Sequence, residues 1–467
     1  MLSPSTSRPE IDLPRSEGTT TGVAPCGGGT ASEGGDLASD TRAGTLPYGD
    51  EVIDLLVDPE QLRPAYQPIV DLGTGAVVAF EALARWPRLG YSPADVFARA
   101  GHRITDVDRA CRLAAIRGAI DAGLSDRQHL FVNVEPLALG CLVREASSWL
   151  FEQDLRRLRV TLELTERALS SDPAGLMSVI ALARRRGIGI ALDDVGADPS
   201  ALALLPLVSP DVVKLDLGLV RAWPGPTQSR VIAGVQAYAE QSCALVLAEG
   251  IETRGHLEQA IALGATLGQG WYFGRPGPLI SSDLPGKIAF ESMEAERLVE
   301  SPFSLVEANS RVRVARKGLL LGIARHVEDR AFQMVAPVVF AALQDYARLT
   351  PPVKARYEAM SRKSPLVATF GTGKPGHDGA AISPAGPVGM RWVELSRTDP
   401  MRLEWSVVVV GAQESFALLA SDLGDDSPDL QRRFRYVLTH DRDIVTAAAR
   451  SMAARISPPD ADCHEPS

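Results

Sequence analysis

Polar side chains recur in this sequence at the points where short apolar runs stop. Nine such residues occur, and six of them are carboxylates. If the six acids lie in one pocket, their mutual repulsion and desolvation cost several kcal/mol. Divalent cations remove that cost, and all-oxygen ligation suits Mg²⁺ or Mn²⁺ and not zinc. The positions are Glu81 in VVAFEALAR, Asn133 in LFVNVEP, Glu163 in VTLELTE, Asp193 and Asp194 in IGIALDD, Lys214 in VVKLD, Glu249 and Glu252 in VLAEGIE, and Gln269 in LGQGW.

The adjacent acids Asp193 and Asp194 can reach two ions, with one carboxylate bridging metals about 4 Å apart, as in enzymes that carry out in-line displacement at phosphorus. Alternation along a strand places Glu81 and Arg85 on one face, so Arg85 can bind a phosphate next to a metal held by Glu81. Lys214 can orient an attacking water. Taken singly, each acid is more often a helix cap or a solvated loop residue, and only the joint occurrence at successive strand ends favours a metal site.

The elements that would bring these residues together are short apolar runs that alternate with amphipathic segments. The runs predict strands at 65–71, 76–85, 130–134, 160–164, 188–193, 212–217 and 244–248, and in a segment ending at Gln269. Helical spacing predicts helices at 106–122, 173–186, 227–241 and 253–263, with Asp106, Thr227 and Thr253 as caps. This order predicts an α/β fold, a (β/α)₈ TIM-like barrel whose strand ends converge on one face.

A smaller α+β domain is predicted after the barrel. Helical patterning covers 305–330, and strand-like runs follow at 335–343, 365–370, 391–395 and 405–410. His440-Asp441 resembles a metal dyad, but it is better explained by Thr439 or Asp441 capping a helix that runs through Arg450. Residues 1–45 are rich in Gly, Ser, Thr and Pro, which predicts disorder. The predicted boundaries are a disordered tail at 1–46, the barrel domain at 47–292, the second domain at 301–455 and a polar tail at 456–467.

Composition excludes several classes of protein. The 467 residues include 48 basic and 58 acidic side chains, and the net charge of −10 argues against a partner that is a nucleic-acid polymer. No apolar run approaches the roughly 20 residues of a membrane span, and the N-terminus lacks the order of a secretory signal. The five cysteines form no C-x-x-C pair. A cytoplasmic protein is therefore expected.

At these residues the sequence resembles the EAL family of cyclic di-GMP phosphodiesterases over about residues 48–290, with the signature tripeptide at Glu81-Ala82-Leu83. The resemblance extends through YQPIVDL, VNV, ELTE, DD, KLD, EGIE and GQGWYFGRP. It implies hydrolysis of one phosphodiester bond of cyclic di-GMP, which gives linear pGpG, and it favours a homodimer. The implied roles are metal ligation by Glu81, Asn133, Glu163, Asp193 and Asp194 to two ions; catalysis by Glu249, Lys214 and Asp194; substrate binding by Arg85, Leu83 and Gln67; and support by Glu166, Glu252 and Gln269.

One departure concerns the loop after the Asp pair. Relatives usually read Phe-Gly-Thr-Gly, then an aromatic residue and two serines, whereas this chain reads Val195-Gly196-Ala197-Asp198-Pro199-Ser200-Ala201. In the family this loop couples dimerisation to metal binding and activity. A catalytically weak or silent cyclic di-GMP receptor that signals through the second domain therefore stays open, as does an interaction scaffold without a ligand.

The C-terminal region is similar to DICT domains, which are presumed sensory modules attached to cyclic di-GMP enzymes and two-component proteins. The resemblance covers about residues 301–450 and rests on LLLGIARHVEDRA, LVATFGTG, VVVVG and related blocks. It implies that the second domain regulates the first. The sequence assigns it no ligand or protein partner and leaves the sign of its effect open.

Overall fold

The structure is a computed structural model, and it describes residues 50–124, 127–145, 158–196, 201–221, 225–279, 301–308, 311–373 and 390–456. The predicted disordered tail at 1–46 lies outside these residues. Of the predicted polar tail at 456–467, only Ile456 is described, and it is buried. No helix within the described ranges is long and apolar enough to cross a membrane.

The first part of the chain is a closed barrel of eight strands. All the predicted strands are confirmed, with ends shifted by at most two residues. The strands are β1 (Arg63–Asp71), β2 (Val77–Arg85), β3 (His129–Asn133), β4 (Arg159–Leu164), β5 (Gly189–Val195), β6 (Val212–Leu215), β7 (Leu245–Ala248) and β8 (Leu267–Gln269). The surrounding helices are α1 (Asp50–Val57), α2 (Pro93–Ala100), α3 (Ile104–Asp121), α4 (Leu139–Glu145), α5 (Arg167–Ser171), α6 (Pro173–Arg186), α7 (Ala201–Val208), α8 (Leu217–Arg221), α9 (Pro226–Ser242) and α10 (Arg254–Ala262).

The barrel departs from strict alternation of strand and helix at its first two strands. β1 runs antiparallel to both β2 and β8, whereas the remaining neighbours are parallel. The link from Asp71 to Val77 is a turn in which the Asp71 carboxylate accepts hydrogen bonds from the backbone N–H groups of Gly73 and Thr74 at 3.1 and 2.7 Å. Because a parallel crossover needs about a dozen residues, so short a link permits only an antiparallel pair.

The predicted helix caps were right in one case of three. Thr253 caps α10 through its side chain, as predicted. Asp106 lies within the first turn of α3, where it pairs with Arg103 at 2.8 Å. Thr227 is not the cap of α9, because the helix begins one residue earlier, at Pro226. Proline is favoured at the first position of a helix.

The second part of the chain forms one sheet with flanking helices. The elements are β9 (Arg313–Arg316), α11 (Lys317–Gln333), β10 (Val338–Asp345), α12 (Pro351–Ser361), β11 (Val367–Thr372), β12 (Met390–Glu394), β13 (Trp405–Val410), β14 (Ser415–Asp422), β15 (Arg433–Thr439) and α13 (Arg442–Ala453). The seven strands follow the order β12-β11-β10-β13-β14-β15-β9. The predicted strands in 335–410 are confirmed as β10 to β13. The predicted helix at 305–330 is wrong in its first half, because β9 precedes α11.

Helices cover both faces of this sheet. α11 and α12 pack on one face through buried side chains such as Leu320 and Tyr357. α13 packs on the other face through Val445 and Met452, and it also contacts α6 and α7 of the barrel. α13 therefore lies between the sheet and the barrel, with apolar contacts to both.

Candidate active site

The barrel strands place a ring of polar side chains directly above an apolar layer. Residues in the barrel interior such as Phe131 and Val212 are fully buried. Since side chains alternate along a strand, the residue two positions away faces the same interior. This next interior position, which lies on the strand or directly after it, is polar in all eight cases. The eight residues are Gln67, Glu81, Asn133, Glu163, Asp193, Lys214, Glu249 and Gln269.

Lys214 lies at the centre of this ring. Its side chain is 1% exposed, and its Nζ lies 2.7 Å from Glu163 Oε1, 2.7 Å from Glu249 Oε1, 3.0 Å from Asp193 Oδ1 and 3.8 Å from Glu81 Oε1. The four carboxylates come from β2, β4 and β5 and from the residue after β7. One ammonium group thus joins acids that lie far apart in the sequence.

Two amides hold Glu81 in place. Asn133 Nδ2 donates to Glu81 Oε1 at 3.3 Å, and Gln269 Nε2 donates to Glu81 Oε2 at 2.6 Å. Gln269 Nε2 also lies 3.3 Å from Gln67 Oε1. The predicted residues on β1, β2, β3 and β8 therefore form one hydrogen-bonded group.

The charges in the ring do not balance. Burial raises the pKa of Glu163 well above its ordinary value, and the neighbouring carboxylates raise it further although Lys214 opposes the shift. Burial likewise raises the pKa of Glu249 to about 8, again against Lys214. Burial lowers the pKa of Lys214, but the surrounding carboxylates outweigh it and the pKa ends above its ordinary value. The ring therefore holds more negative charge than one lysine neutralises.

The donor set fits a hard divalent cation. Asp193, Asp194 and Glu249 each offer a carboxylate oxygen, and these atoms lie within 4.8 Å of one another. Glu163 Oε2 is buried and accepts no hydrogen bond from any described residue. Carboxylate oxygens with uncompensated charge are the ligands that Mg²⁺ and Mn²⁺ prefer.

Unusual backbone geometry positions two of the site-forming turns. Asp194 has a φ of 56°, a left-handed conformation that turns the chain directly after Asp193. Gly270 has a φ of 154°, and a Cβ there would lie 2.1 Å from the carbonyl oxygen of Ile251. Glycine is thus required where the end of β8 meets the segment between Glu249 and Glu252.

A cavity of about 310 Å³ opens beside the ring. It is lined by the consecutive residues 81–85, which include Glu81, Leu83 and Arg85, and by Asn133. Arg85 Nη1 donates to the carbonyl of Ala84 at 2.9 Å and forms no ion pair with a described residue. The cavity therefore offers a guanidinium group next to Glu81.

Sequence reasoning missed Arg167, which lines the same cavity. Arg167 is the first residue of α5 and follows the E-L-T-E segment directly, so its position just after a strand end was the available signal. It lies close enough to influence the pKa of Asp194. Three arginines thus line the cavity, namely Arg85, Arg112 and Arg167, and Arg112 is paired with Asp108.

Two predicted supporting residues lie outside the ring. Glu252 forms an ion pair with Arg221, and its backbone N–H donates to His256 Nδ1 at 3.3 Å. Glu166 lies just before α5. Residues 197–200, the middle of the altered loop, lie outside the described residues.

Comparison of the sequence with protein families gives two matches. Residues 53–276 match the EAL domain, and residues 301–423 match the DICT domain, described as a sensory domain in diguanylate cyclases and two-component systems. Together the matches cover the barrel and most of the second sheet.

Several characterised proteins are similar to the barrel part. The cyclic di-GMP phosphodiesterase RocR of Pseudomonas aeruginosa is 32% identical over 252 residues, which are 52% of this chain and 64% of RocR. The cyclic di-GMP phosphodiesterase NbdA of the same organism is 33% identical over 50% of this chain and 31% of NbdA. Among solved structures, a complex of Klebsiella pneumoniae BlrP1 with manganese and cyclic di-GMP is 30% identical over 47% of this chain and 61% of that one, with a TM-score of 0.42. The chain thus spans less than two thirds of each of these proteins.

Proposed function

We propose that this chain, an EAL-domain protein with a DICT domain behind it, is a cytoplasmic phosphodiesterase that hydrolyses cyclic di-GMP to linear pGpG with Mg²⁺ or Mn²⁺. The two domains are proposed to extend over 47–292 and 301–455. The observation that carries the proposal is the convergence of acids from four parts of the barrel around Lys214, beside a cavity that contains Arg85.

The proposed ligands of two divalent ions are Glu81, Asn133, Glu163, Asp193 and Asp194, and the bound ions would supply Lewis-acid stabilisation of the charge that develops on the phosphate. Support comes from the excess negative charge of the ring and from the buried, unpartnered Oε2 of Glu163. The Asn133 and Gln269 amides fix the orientation of Glu81. In the same scheme Gln269 and Glu252 are supporting residues, and Glu166 steadies the altered loop.

The remaining residues bind the substrate and handle the proton. Arg85 pairs with the phosphate in the cavity, while Leu83 and Gln67 contact the nucleotide. Lys214 orients a water for in-line attack on phosphorus, and Glu249 accepts the proton of that water, with Asp194 beside it. The new bond joins the water oxygen to phosphorus, and the bond from phosphorus to the 3′ oxygen breaks. The 3′ oxygen takes up a proton from solvent and leaves as a hydroxyl group, which balances the proton that Glu249 accepts and later returns to solvent.

Product analysis tests this function. The purified chain is incubated with cyclic di-GMP and either Mg²⁺ or Mn²⁺, and pGpG is followed by chromatography. We expect turnover by the wild type and a loss of at least about 100-fold for Asp193→Asn, since that change removes a charged ligand. The matched control is Asp121→Asn, an exposed aspartate at the end of α3. Full turnover by Asp193→Asn would refute the metal assignment.

A second candidate is a cyclic di-GMP receptor with little or no turnover. The observation that favours it is the altered sequence between Val195 and Ala201, which follows the Asp pair directly. Binding of cyclic di-GMP without release of pGpG would support the receptor, and absence of binding would support a scaffold. The homodimer that the family resemblance favours is tested by measuring activity against protein concentration.

Regulation by the DICT domain is proposed to act through α13. Arg450 on α13 donates from Nε to the carbonyl of Leu207 at 2.9 Å, and from Nη2 to the carbonyl of Pro206 at 3.2 Å and to Ser209 Oγ at 2.6 Å. These carbonyls end α7, where a helix leaves its last acceptors without partners of its own. Because α7 follows the loop after Asp194, a shift of α13 would move the segment that carries the Asp pair.

A further inference from the structure

The sheet of the second domain has a cavity of about 250 Å³ that the catalytic proposal does not use. Its wall consists of α11, the end of β10, α12 and Trp405 on β13. It lies on the face covered by α11 and α12, opposite α13. Its size lies just below the range of drug-sized sites, roughly 300–1,000 Å³, which suits a smaller ligand.

One wall of the cavity is apolar. Trp405 and Leu349 are buried, and Leu321, Leu343 and Val353 are half-buried beside them. Such a surface is suited to a hydrocarbon or aromatic body, since contact with it would remove apolar area from water on both sides.

The rim of the cavity is basic. Among its cations, Lys317 and Arg356 pair with carboxylates, whereas Arg325 and Arg348 form no ion pair with any described residue. Both of these arginines are exposed at the mouth. Arg325 lies close enough to Glu328 to oppose the rise in the pKa of that carboxyl, but neither guanidinium group forms an ion pair with a described residue. Two such groups beside an apolar wall favour a ligand that brings its own negative charge.

A buried residue orients Arg348. Arg348 Nη1 donates to Gln344 Oε1 at 2.6 Å, and Gln344 is only 8% exposed. Gln344 Nε2 lies 3.2 Å from both the carbonyl of Leu403 and Asp422 Oδ2. Gln344 also has a left-handed φ of 66°, at the point where the register between β10 and β11 shifts. Strained backbone of this kind tends to persist at binding sites.

The base of the cavity is polar but already satisfied. Tyr357 donates its hydroxyl hydrogen to Glu328 Oε1 at 2.7 Å, and Arg356 Nη1 lies 3.4 Å from Glu328 Oε2. A buried carboxylate would repel a second anion at this depth. The negative group of a ligand therefore belongs at the rim and its apolar part against the wall.

We propose that this cavity binds a small organic anion, with its charged group between Arg325 and Arg348 and its apolar body against Trp405, Leu349 and Leu321. The site would be the input site of the DICT domain. It is independent of the catalytic proposal, because binding is measured in the absence of cyclic di-GMP.

The test uses the full-length protein and three probes in calorimetric titrations. Octanoate combines an anion with an apolar chain, 1-octanol keeps the chain without the charge, and acetate keeps the charge without the chain. We expect octanoate to bind with a Kd below about 1 mM, and the other two at least roughly tenfold more weakly. Equal binding of octanol or acetate, or no binding of octanoate, would overturn the proposal.

Two variants assign the binding to this cavity. Arg348→Ala and Arg325→Ala should each weaken octanoate binding by roughly tenfold, because each removes a charged partner. Arg397→Ala, which changes an exposed arginine of the same domain outside the cavity, should leave binding as in the wild type. Both rim arginines are exposed, so their variants are expected to fold, which circular dichroism checks. Unchanged binding by both rim variants would place octanoate elsewhere and refute the assignment.

Discussion

Replacing Lys214 with methionine tests the electrostatic basis of the barrel site. Methionine keeps most of the side-chain volume but removes the only cation that the described residues place among Glu163, Glu249 and Asp193. Removing one partner of a buried ion pair costs about 3–5 kcal/mol, because the remaining charges are left uncompensated. For a domain of this size, that cost corresponds to a fall in melting temperature of about 6–20 °C.

The cost should depend on pH in a defined direction. Without Lys214 the pKa values of Glu163 and Glu249, which burial already raises, rise further. A carboxylate with a raised pKa binds more protons in the folded than in the unfolded protein, so stability falls as pH increases through that interval. The variant should therefore be destabilised most at about pH 8 and much less at about pH 5.

Differential scanning calorimetry in metal-free buffer at both pH values measures this effect. Lys354→Met is the matched control, since Lys354 forms a partly exposed surface pair with Glu358 at 3.6 Å, and surface pairs contribute about 0–1 kcal/mol. The reasoning would be wrong if Lys214→Met melted like the wild type at pH 8, or if its deficit were the same at both pH values.

Three further predictions concern other parts of the chain. Arg450→Ala should lower stability in urea by about 1–3 kcal/mol, because the carbonyl of Leu207 loses its side-chain donor and that of Pro206 keeps only the Ser209 hydroxyl; an unchanged midpoint would contradict this. Burial raises the pKa of Glu404 to about 7, so the free energy of unfolding should fall by roughly 3 kcal/mol as pH rises from about 4.5 to 7. Glu404→Gln should remove most of this pH dependence, which denaturation at several pH values measures. Gly270→Ala should reduce both melting temperature and turnover, whereas Gly255→Ala on α10, with no atom nearer than 3.8 Å to the added Cβ, should not.

The barrel was predictable from sequence because its strands repeat one simple pattern. On β2 to β8 each interior residue, such as Phe131 or Leu247, is followed two positions later by a polar residue, and β/α alternation fixes which end of the strand carries it. On the antiparallel β1 the order is reversed, and Gln67 precedes Ile69. The antiparallel start was not predicted, although the short turn after Asp71 already excluded a crossover. The fourfold contact of Lys214 depends on barrel closure, which no local pattern reports.

The second sheet was predicted less completely, for physical reasons visible in its edge elements. β9 has four residues, R-V-A-R, pairs with β15 at the edge and is largely exposed, so it lacks an apolar run. β15 reads R-F-R-Y-V-L-T, and its first four residues alternate between arginine and an aromatic residue. That alternation fits a strand, but it fits a surface that contacts a partner equally well. The predicted cap was correct: Asp441 accepts hydrogen bonds from the backbone N–H groups of Asp443 and Ile444, at 3.1 and 3.3 Å. The cavity near Trp405 could not be predicted, because its wall gathers residues from 317 to 405.

The position of α13 affects how the two domains can be separated. The DICT match ends at residue 423, before β15 and α13, so a chain cut at that boundary loses the strand that lies between β14 and β9 and the helix that joins sheet and barrel. Apolar faces of both halves would then meet water, and such a fragment should aggregate. Loss of activity in a shortened chain of this kind would report misfolding, not the removal of a sensor.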